Sequence, residues 1–297
     1  MTKILTIGVS ARALFNLDSE HALFESHGLD VYTAHQITHE KAPLPIGPAF
    51  PFVKAMLSLN TQDAMLVEVV LISGQHPNIG LRVLRRAEDL GVNIARAAFT
   101  GGSPVTPYLQ AFDVDLFLSR SFQDVQTALD FGVPSAFMSA LSDSYLTPEQ
   151  DVIKVAFDGD SVLFSDESEA ISKNRGLQAF VDNELTNVDV PMNEGPFARF
   201  LLALHHIREI HPDKVRIALV TARSGTSIDR AVKTLRHWGL HVDEAFFLGN
   251  LSKGNFISAF KPHIFFDDQE KHIESASPHA PSGRVPYRLG GAMRLSA

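Results

Sequence analysis

The sequence predicts an α/β fold built from two tandem, related parallel-sheet units, and three observations carry that prediction. Short apolar runs of strand length alternate with longer segments of helical spacing, the pattern of parallel sheets covered by helices. The pattern returns after 148 residues: Val67, Leu71, Arg82, Gly91, Ala97, Phe99, Gly101, Ala111, Phe112 and Phe117 meet identical residues at Val215, Leu219, Arg230, Gly239, Ala245, Phe247, Gly249, Ala259, Phe260 and Phe265. Those ten identities over 55 aligned positions exceed the roughly three that average composition would give. In the second half, moreover, the apolar runs end in charged or hydroxyl residues, and parallel sheets gather their ligands at the carboxyl ends of strands.

In the first unit, taken as residues 1–150, Lys3 to Val9 reads as a strand and residues 10–29 continue with helical spacing. Pro-rich sequence from Ala42 to Pro51 interrupts the chain, and Phe52 to Leu59 resumes as an amphipathic helix. Val67 to Ile72 is the second strand, ending at Ser73-Gly74. Leu81 to Leu90 is a helix closed by Gly91, a common C-terminal cap. Ala97 to Phe99 and Val114 to Leu118 complete the strands, and the polar stretch at 143–152 marks the boundary.

The second unit, residues 151–297, carries the chemistry. Ile153 to Phe157 is a buried strand halted at Asp158-Gly159-Asp160. Residues two apart in extended chain point the same way, so both carboxylates face one pocket, and like charges that close call for a cation or a shared proton. Mg²⁺ takes oxygen ligands and leaves places for water and a substrate phosphate. Between Asp166 and Gly195 the chain adds about 29 residues, far beyond a loop of roughly 2 to 6, which predicts a small cap at about 167–195. Its Phe180 is a candidate to stack on an aromatic part of the ligand, with Asn183 or Asn187 reading the edge of that part. Val215 to Val220 ends in Thr221-Ala222-Arg223, a hydroxyl, backbone N–H groups and a guanidinium suited to phosphate oxygens. Lys253 opens the next helix, where a cation and a helix N-terminus both favour an anion. Ile264 to Phe266 ends in Asp267-Asp268, a second carboxylate pair for the cation.

None of these groups recurs in the first unit. At a shift of 148 residues Asp158 meets Ser10, Asp160 meets Arg12, Thr221 meets Ser73, Lys253 meets Val105, and Asp267-Asp268 meets Ser119-Arg120. The first copy keeps the pattern of the fold and lacks the carboxylates a metal needs.

The order Asp-Gly-Asp, Thr, Lys, Asp-Asp, each at the end of its strand, resembles the haloacid dehalogenase superfamily. The strings SARALFNL, GPAF, GLRVL, RAAFTGG, AFDGDSVLFSDESE, LVTARS, KTLRHWGL and HIFFDDQ look like the type I, AMP-preferring cytosolic 5'-nucleotidases, over residues 8 to 273. The resemblance implies Rossmann-like units and Mg²⁺-dependent hydrolysis of nucleoside 5'-monophosphates through an aspartyl-phosphate. By the same resemblance, Asp158 is the nucleophile and Asp160 the acid/base; Thr221, with Ala222 and Arg223 beside it, binds the phosphoryl group; Lys253 neutralises charge. The metal falls to Asp158, Asp160 and one of Asp267 and Asp268.

Composition narrows the partners. Twenty-six basic against 34 acidic residues give a net charge of −8, which argues against nucleic acid and against an anionic membrane surface. The absence of cysteine excludes thiolate chemistry and disulfides. No apolar run approaches the roughly 18 residues of a membrane span, the N-terminus lacks a signal-peptide core, and a cytoplasmic location is expected. A homo-oligomer and a nucleotide effector bound to the first unit stay open as partners.

Alternatives are a phosphatase or phosphotransferase for another small phosphomonoester, and a non-enzymatic nucleotide sensor. A receiver domain shares the residue types, but its acidic pair opens the domain instead of closing it. His205, His206 and His211 read as solvated, His263 and Trp238 as packing residues, and the stretch from Ser275 onward as an extended surface cover.

Overall fold

Apolar strand cores and amphipathic helices give two compact units, Met1–Ala140 and Leu141–Ala297. The computed structural model describes residues 3–142, 145 and 151–295. Most of the polar boundary stretch expected at 143–152 therefore lies outside the described residues.

The first unit runs β1 (Leu5–Val9), α1 (Ala11–Leu14), α2 (Asp18–Thr38), α3 (Phe50–Leu57), β2 (Val67–Ser73), α4 (Pro77–Asp89), β3 (Arg96–Phe99), α5 (Thr106–Ala111), β4 (Leu116–Ser119), α6 (Phe122–Asp130) and β5 (Ser135–Met138). Its strands lie in the order β3-β2-β1-β4-β5, every pair parallel. The second unit runs β6 (Ile153–Phe157), α7 (Glu167–Thr186), α8 (Ala198–Ile210), β7 (Val215–Thr221), α9 (Ser227–His237), β8 (Glu244–Phe247), α10 (Lys253–Phe260), β9 (Ile264–Asp267), α11 (Glu270–Ala276) and β10 (Ser282–Arg284). Here the order is β10-β9-β6-β7-β8, again all parallel. The corresponding strands β1 and β6, β2 and β7, β3 and β8, and β4 and β9 each begin 148 residues apart.

The cores correspond as closely as the strands. Val70, Ile72, Leu109, Phe117 and Ala128 are buried together in the first unit; Ala218, Val220, Ile257, Phe265 and Ala276 are buried together at the same spacing in the second. Around the ends of β6 and β9, Phe157, Phe197, Phe200 and Phe266 form an aromatic cluster, with Phe157 and Phe266 stacked at 5.6 Å and Phe197 and Phe266 at 4.8 Å. Phe157 and Phe266 each sit just before a site aspartate or its neighbour, so the packing of this cluster fixes where the two strand ends point.

Three differences from the sequence reading have local causes. Residues 10–29 are not one helix: Ser10 caps the four-residue α1, Phe15 is extended (φ −130°) and bridges to Ile46, and α2 starts afresh at Asp18. Both long helices, α2 and α7, are kinked at a glycine with positive φ, Gly28 (79°) and Gly176 (85°), so a long helix after the first strand is a feature of each unit. The C-terminal stretch contributes β10, which pairs with β9 through Ser282, Gly283 and Arg284.

Candidate active site

The second unit's site is assembled where β6, β7 and β9 end. The turn after β6 folds back on itself, with the N–H groups of Leu163 and Phe164 both donating to the Gly159 carbonyl at 2.9 Å. Gly159 sits against β7: a Cβ there would lie 3.2 Å from Thr221 Oγ1, so glycine lets the threonine hydroxyl stand next to the Asp158 peptide. Asp158 is buried, and its Oδ1 accepts from the Gly159 N–H at 2.6 Å.

Lys253, at the start of α10, is 1% exposed and divides its charge between two carboxylates, with Nζ 2.8 Å from Asp158 Oδ1 and 2.7 Å from Asp267 Oδ2. Burial alone would lower its pKa, but the two carboxylates overcome this and hold it above the ordinary lysine value. The same burial pushes Asp158 up to about 7, against the pull of Lys253. Burial also raises Asp267, yet Lys253 and His272 together bring it below the usual range.

The two members of the Asp267-Asp268 pair have different surroundings. Asp267 is saturated: besides Lys253 it accepts from the Gln269 N–H at 2.9 Å and meets His272 Nδ1 at 3.1 Å. Asp268 accepts from the Tyr287 hydroxyl on Oδ2 at 2.8 Å, while its buried Oδ1 has no partner among the described residues. Burial, followed by the neighbouring Asp158, Asp267 and Glu169, drives the Asp268 pKa well upward. A buried carboxylate oxygen without a donor, surrounded by other carboxylates, is what a cation would relieve. Asp158, Asp267 and His272 also bring ligand atoms within 4.8 Å of one another, but two of those three are already engaged with each other.

Arg223, expected from the sequence as a donor for phosphate oxygens, is engaged with carboxylates in this structure. It is 3% exposed and grips Asp160 with both edges of its fork, Nε to Oδ2 at 2.9 Å and Nη2 to Oδ1 at 2.7 Å. Its Nη1 donates to Glu184, a fully buried residue of α7 that also takes Arg230 Nη1 at 2.9 Å and the Ser168 hydroxyl at 2.8 Å. Phe180, half-buried on α7, has the Arg223 guanidinium over its ring at 5.4 Å, so a cation occupies the face expected to stack a base. Thr221 is buried and accepts from the Arg223 N–H at 3.2 Å, which leaves its own proton to donate; Ala222 is exposed in the turn that follows.

A sequence profile described as 5'-nucleotidase matches residues 1–291. The chain belongs to the 5'-nucleotidase family. Over 289 residues it is 37% identical to cytosolic 5'-nucleotidase 1B of Homo sapiens, a match that covers 92% of this chain and 47% of that protein. The chain thus spans about half the length of the curated relative it matches. The profile takes in both units, so this 5'-nucleotidase family chain carries the acidic strand ends in one half of the matched region and their neutral or basic counterparts in the other.

Four groups around the site escaped the sequence reading. Glu169 accepts from Ser161 Oγ at 2.5 Å and from the Tyr287 hydroxyl at 3.1 Å; Tyr287 comes from the C-terminal stretch, which is therefore more than a surface cover. Glu184 and His272 complete the set. Each is a single polar residue in an ordinary helix or tail, and only the buried strand-end charges opposite it could have marked it. His263 packs as expected, buried with Nδ1 accepting from the Lys154 N–H at 3.1 Å, and Trp238 lies half-buried against Phe164 at 5.6 Å. Among the described residues no helix is long and apolar enough to cross a membrane.

Proposed function

We propose that the second unit hydrolyses nucleoside 5'-monophosphates, AMP-like in class, to nucleoside and phosphate, with Mg²⁺ as cofactor. The observation that carries this reading is the Asp158–Lys253–Asp267 arrangement beside the unpartnered Asp268 Oδ1. Asp158 and Asp268, with the backbone carbonyl of Asp160, would hold the metal, and Asp267 serves instead to fix Lys253. Bound there, Mg²⁺ supplies charge neutralisation that lets an anionic nucleophile approach a phosphate dianion.

Asp158 attacks phosphorus, forming a P–O bond as the bond to the 5'-oxygen breaks, and Asp160 delivers a proton to that departing oxygen. Water then attacks the aspartyl-phosphate, Asp160 takes its proton, and phosphate leaves with Asp158 restored. Lys253 and the Thr221 hydroxyl hold the phosphoryl oxygens, with the Ala222 N–H at the same turn. Arg223 is assigned to Asp160: its bidentate guanidinium orients the carboxylate toward the reacting group. The relation between the two units is read as a tandem duplication in which only the second copy kept the chemistry. A cytoplasmic location is part of this proposal, and it is supported by the human relative's being named a cytosolic 5'-nucleotidase.

Phosphate release from a panel of nucleoside monophosphates and sugar phosphates, with and without Mg²⁺, tests the proposal. Release from nucleotides that requires Mg²⁺ and disappears in Asp158→Asn supports it. Equal release without metal, or release confined to sugar phosphates, overturns it.

A further inference from the structure

The first unit has a cavity of about 220 Å³, and its lining includes Ser10, Arg12, Ser73, Ser119 and Arg120. These are the positions that correspond, at the 148-residue shift, to Asp158, Asp160, Thr221, Asp267 and Asp268. The first unit has therefore kept an open pocket at its own strand ends while reversing the charge there. Two aspartates have become serines and two have become arginines, and the lysine position, Val105, has joined the apolar core. An acidic pocket needs a metal to hold a phosphate; a pocket walled by guanidiniums does not.

The two arginines converge. Arg12 Nη2 lies 3.0 Å from Asp18 Oδ1 and Arg120 Nη2 lies 3.2 Å from Asp18 Oδ2, so one carboxylate, itself 44% exposed, sits between two guanidiniums. The Nε atoms of both arginines are buried with no acceptor among the described residues, so Asp18 does not use all of their donors. Asp124 also lines the cavity, bound to the helix start by the Asp124 N–H to Ser121 Oγ contact; burial raises its pKa, which lessens its repulsion of an anion. His21 lines the same wall, and burial favours its neutral form.

The same cavity also has apolar lining. Phe24 and Leu29 are 41% and 52% exposed, and Tyr32 meets Phe24 edge-on at 5.7 Å while its hydroxyl accepts from Gln75 Nε2 at 2.9 Å. An exposed ring within the same cavity as a paired-arginine anion seat suits a phosphate ester that carries an aromatic base. The cavity is smaller than the roughly 300 Å³ at which drug-sized sites begin, which fits one phosphate and one ring, partly open to solvent.

We propose that the first unit binds a nucleoside monophosphate without a metal and without turning it over, its phosphate taken by Arg12 and Arg120 and its base laid on Phe24. Asp18, which bridges the two arginines, yields them to the ligand's phosphate. This site stands independently of the reaction assigned to the second unit.

Calorimetric titration of AMP into the full chain carrying Asp158→Asn, in chelator and without divalent cation, isolates this site from turnover and from metal-dependent binding. A saturable site of one AMP per chain is expected, with inorganic phosphate competing and adenosine binding at least tenfold more weakly. Arg120→Gln should weaken AMP by tenfold or more, whereas Asp18→Asn should tighten it several-fold by freeing the arginine pair. The opposite signs separate a binding seat from a structural ion pair, which would lose stability in both variants and change affinity in neither. No metal-free binding, or binding that neither variant alters, overturns the proposal, and neither result bears on whether the second unit hydrolyses nucleotides.

Discussion

The two units share a strand order, a core and a kinked helix, and they differ at the handful of positions where their strands end. In the second unit those ends carry Asp158, Asp160, Asp267 and Asp268, with Lys253 held between Asp158 and Asp267; in the first they present serines and arginines, with the lysine position filled by buried Val105. A fold of this kind fixes where a ligand sits, and the strand-end residues alone decide what may be done with it. The charge reversal teaches which groups belong to the scaffold. Arg82 and Arg230 occur in both units at equivalent places and bind acidic or amide groups of the long helix in each, Glu20 and Gln36 in one and Glu184 in the other. Arginine there supports the helix, and is no mark of catalysis.

The largest effect should come from Asp158, the proposed nucleophile. Asp158→Asn is isosteric and keeps the strand end in place, yet it should lower phosphate release by roughly 10³-fold or more, measured with saturating nucleotide and Mg²⁺. The reciprocal change, Ser10→Asp, should create no activity, because Arg12 and Arg120 stand where the remaining carboxylates would be needed. Activity surviving Asp158→Asn would break the contrast between the units outright.

Next in size is the buried network behind Asp160. Glu184 has no solvent exposure and neutralises both Arg223 and Arg230, so Glu184→Gln leaves two buried guanidiniums short of charge. A loss of about 3 kcal/mol is expected, seen as a fall in unfolding midpoint. Gln36→Ala, at the equivalent position of the first unit, should cost about 1 kcal/mol, since Arg82 retains Glu20 at 2.9 Å. Burial raises the Glu184 pKa, but Arg223, Ser168 and Arg230 outweigh it, and the group ends below its ordinary 4.5. A lowered carboxylate pKa contributes stability that is complete above the ordinary value and is lost as pH falls through the lower folded value. The stability of Glu184→Gln should therefore depend less on pH in that acid range than the wild type's. Equal midpoints for Glu184→Gln and Gln36→Ala would show that the two helices are supported alike.

Much of this was legible in the sequence because it is written locally. Ile153 to Phe157 is an apolar run that ends in Asp-Gly-Asp, and its strand, its burial and its carboxylate positions all follow from that string. Thr221 and Asp267 proved to be the last residues of their strands, one place further in than apolarity suggested, because backbone pairing continues past the last apolar side chain. What stayed hidden depends on distance along the chain. Tyr287 reaches Glu169 across 118 residues, and nothing in a Pro- and Gly-rich tail announces a hydroxyl aimed at a carboxylate. The place of Arg223 in a strand-end turn suggests a phosphate donor; the partners it has in this structure, Asp160 and Glu184, lie 63 and 39 residues away and leave no local trace. Gly176 carries no sequence signal for a kink except its counterpart at Gly28.

A smaller effect should follow from Tyr287→Phe. The hydroxyl bridges Asp268 Oδ2 and Glu169 Oε1, orienting the carboxylate assigned to the metal without touching it. Groups of this kind tune metal affinity by about 10- to 100-fold, and since one hydroxyl is lost the lower end, about tenfold, is expected in the Mg²⁺ needed for half-maximal activity. The rate at saturating Mg²⁺ should change little. An unchanged Mg²⁺ requirement would reduce Tyr287 to packing.

The smallest effect tests what the units have in common. Gly28 and Gly176 sit at φ 79° and 85°, and a Cβ at either would meet nothing within 4 Å, so alanine there costs backbone strain alone. With ψ at −175° and 172° both lie where essentially only glycine is found, so a non-glycine residue costs about 1 to 3 kcal/mol, offset in part by the reduced freedom of the unfolded chain, for a net loss of about 1 kcal/mol or somewhat more at each site. Because the two glycines lie in different units and share no partner, the double variant should lose the sum to within about 0.5 kcal/mol. Equal and additive losses mean that both kinks belong to the scaffold. If Gly176→Ala also slowed the reaction, beyond its cost in stability, the kink in α7 would belong to the site, since that helix carries Glu169, Phe180 and Glu184 while α2 carries none of the acidic site's groups.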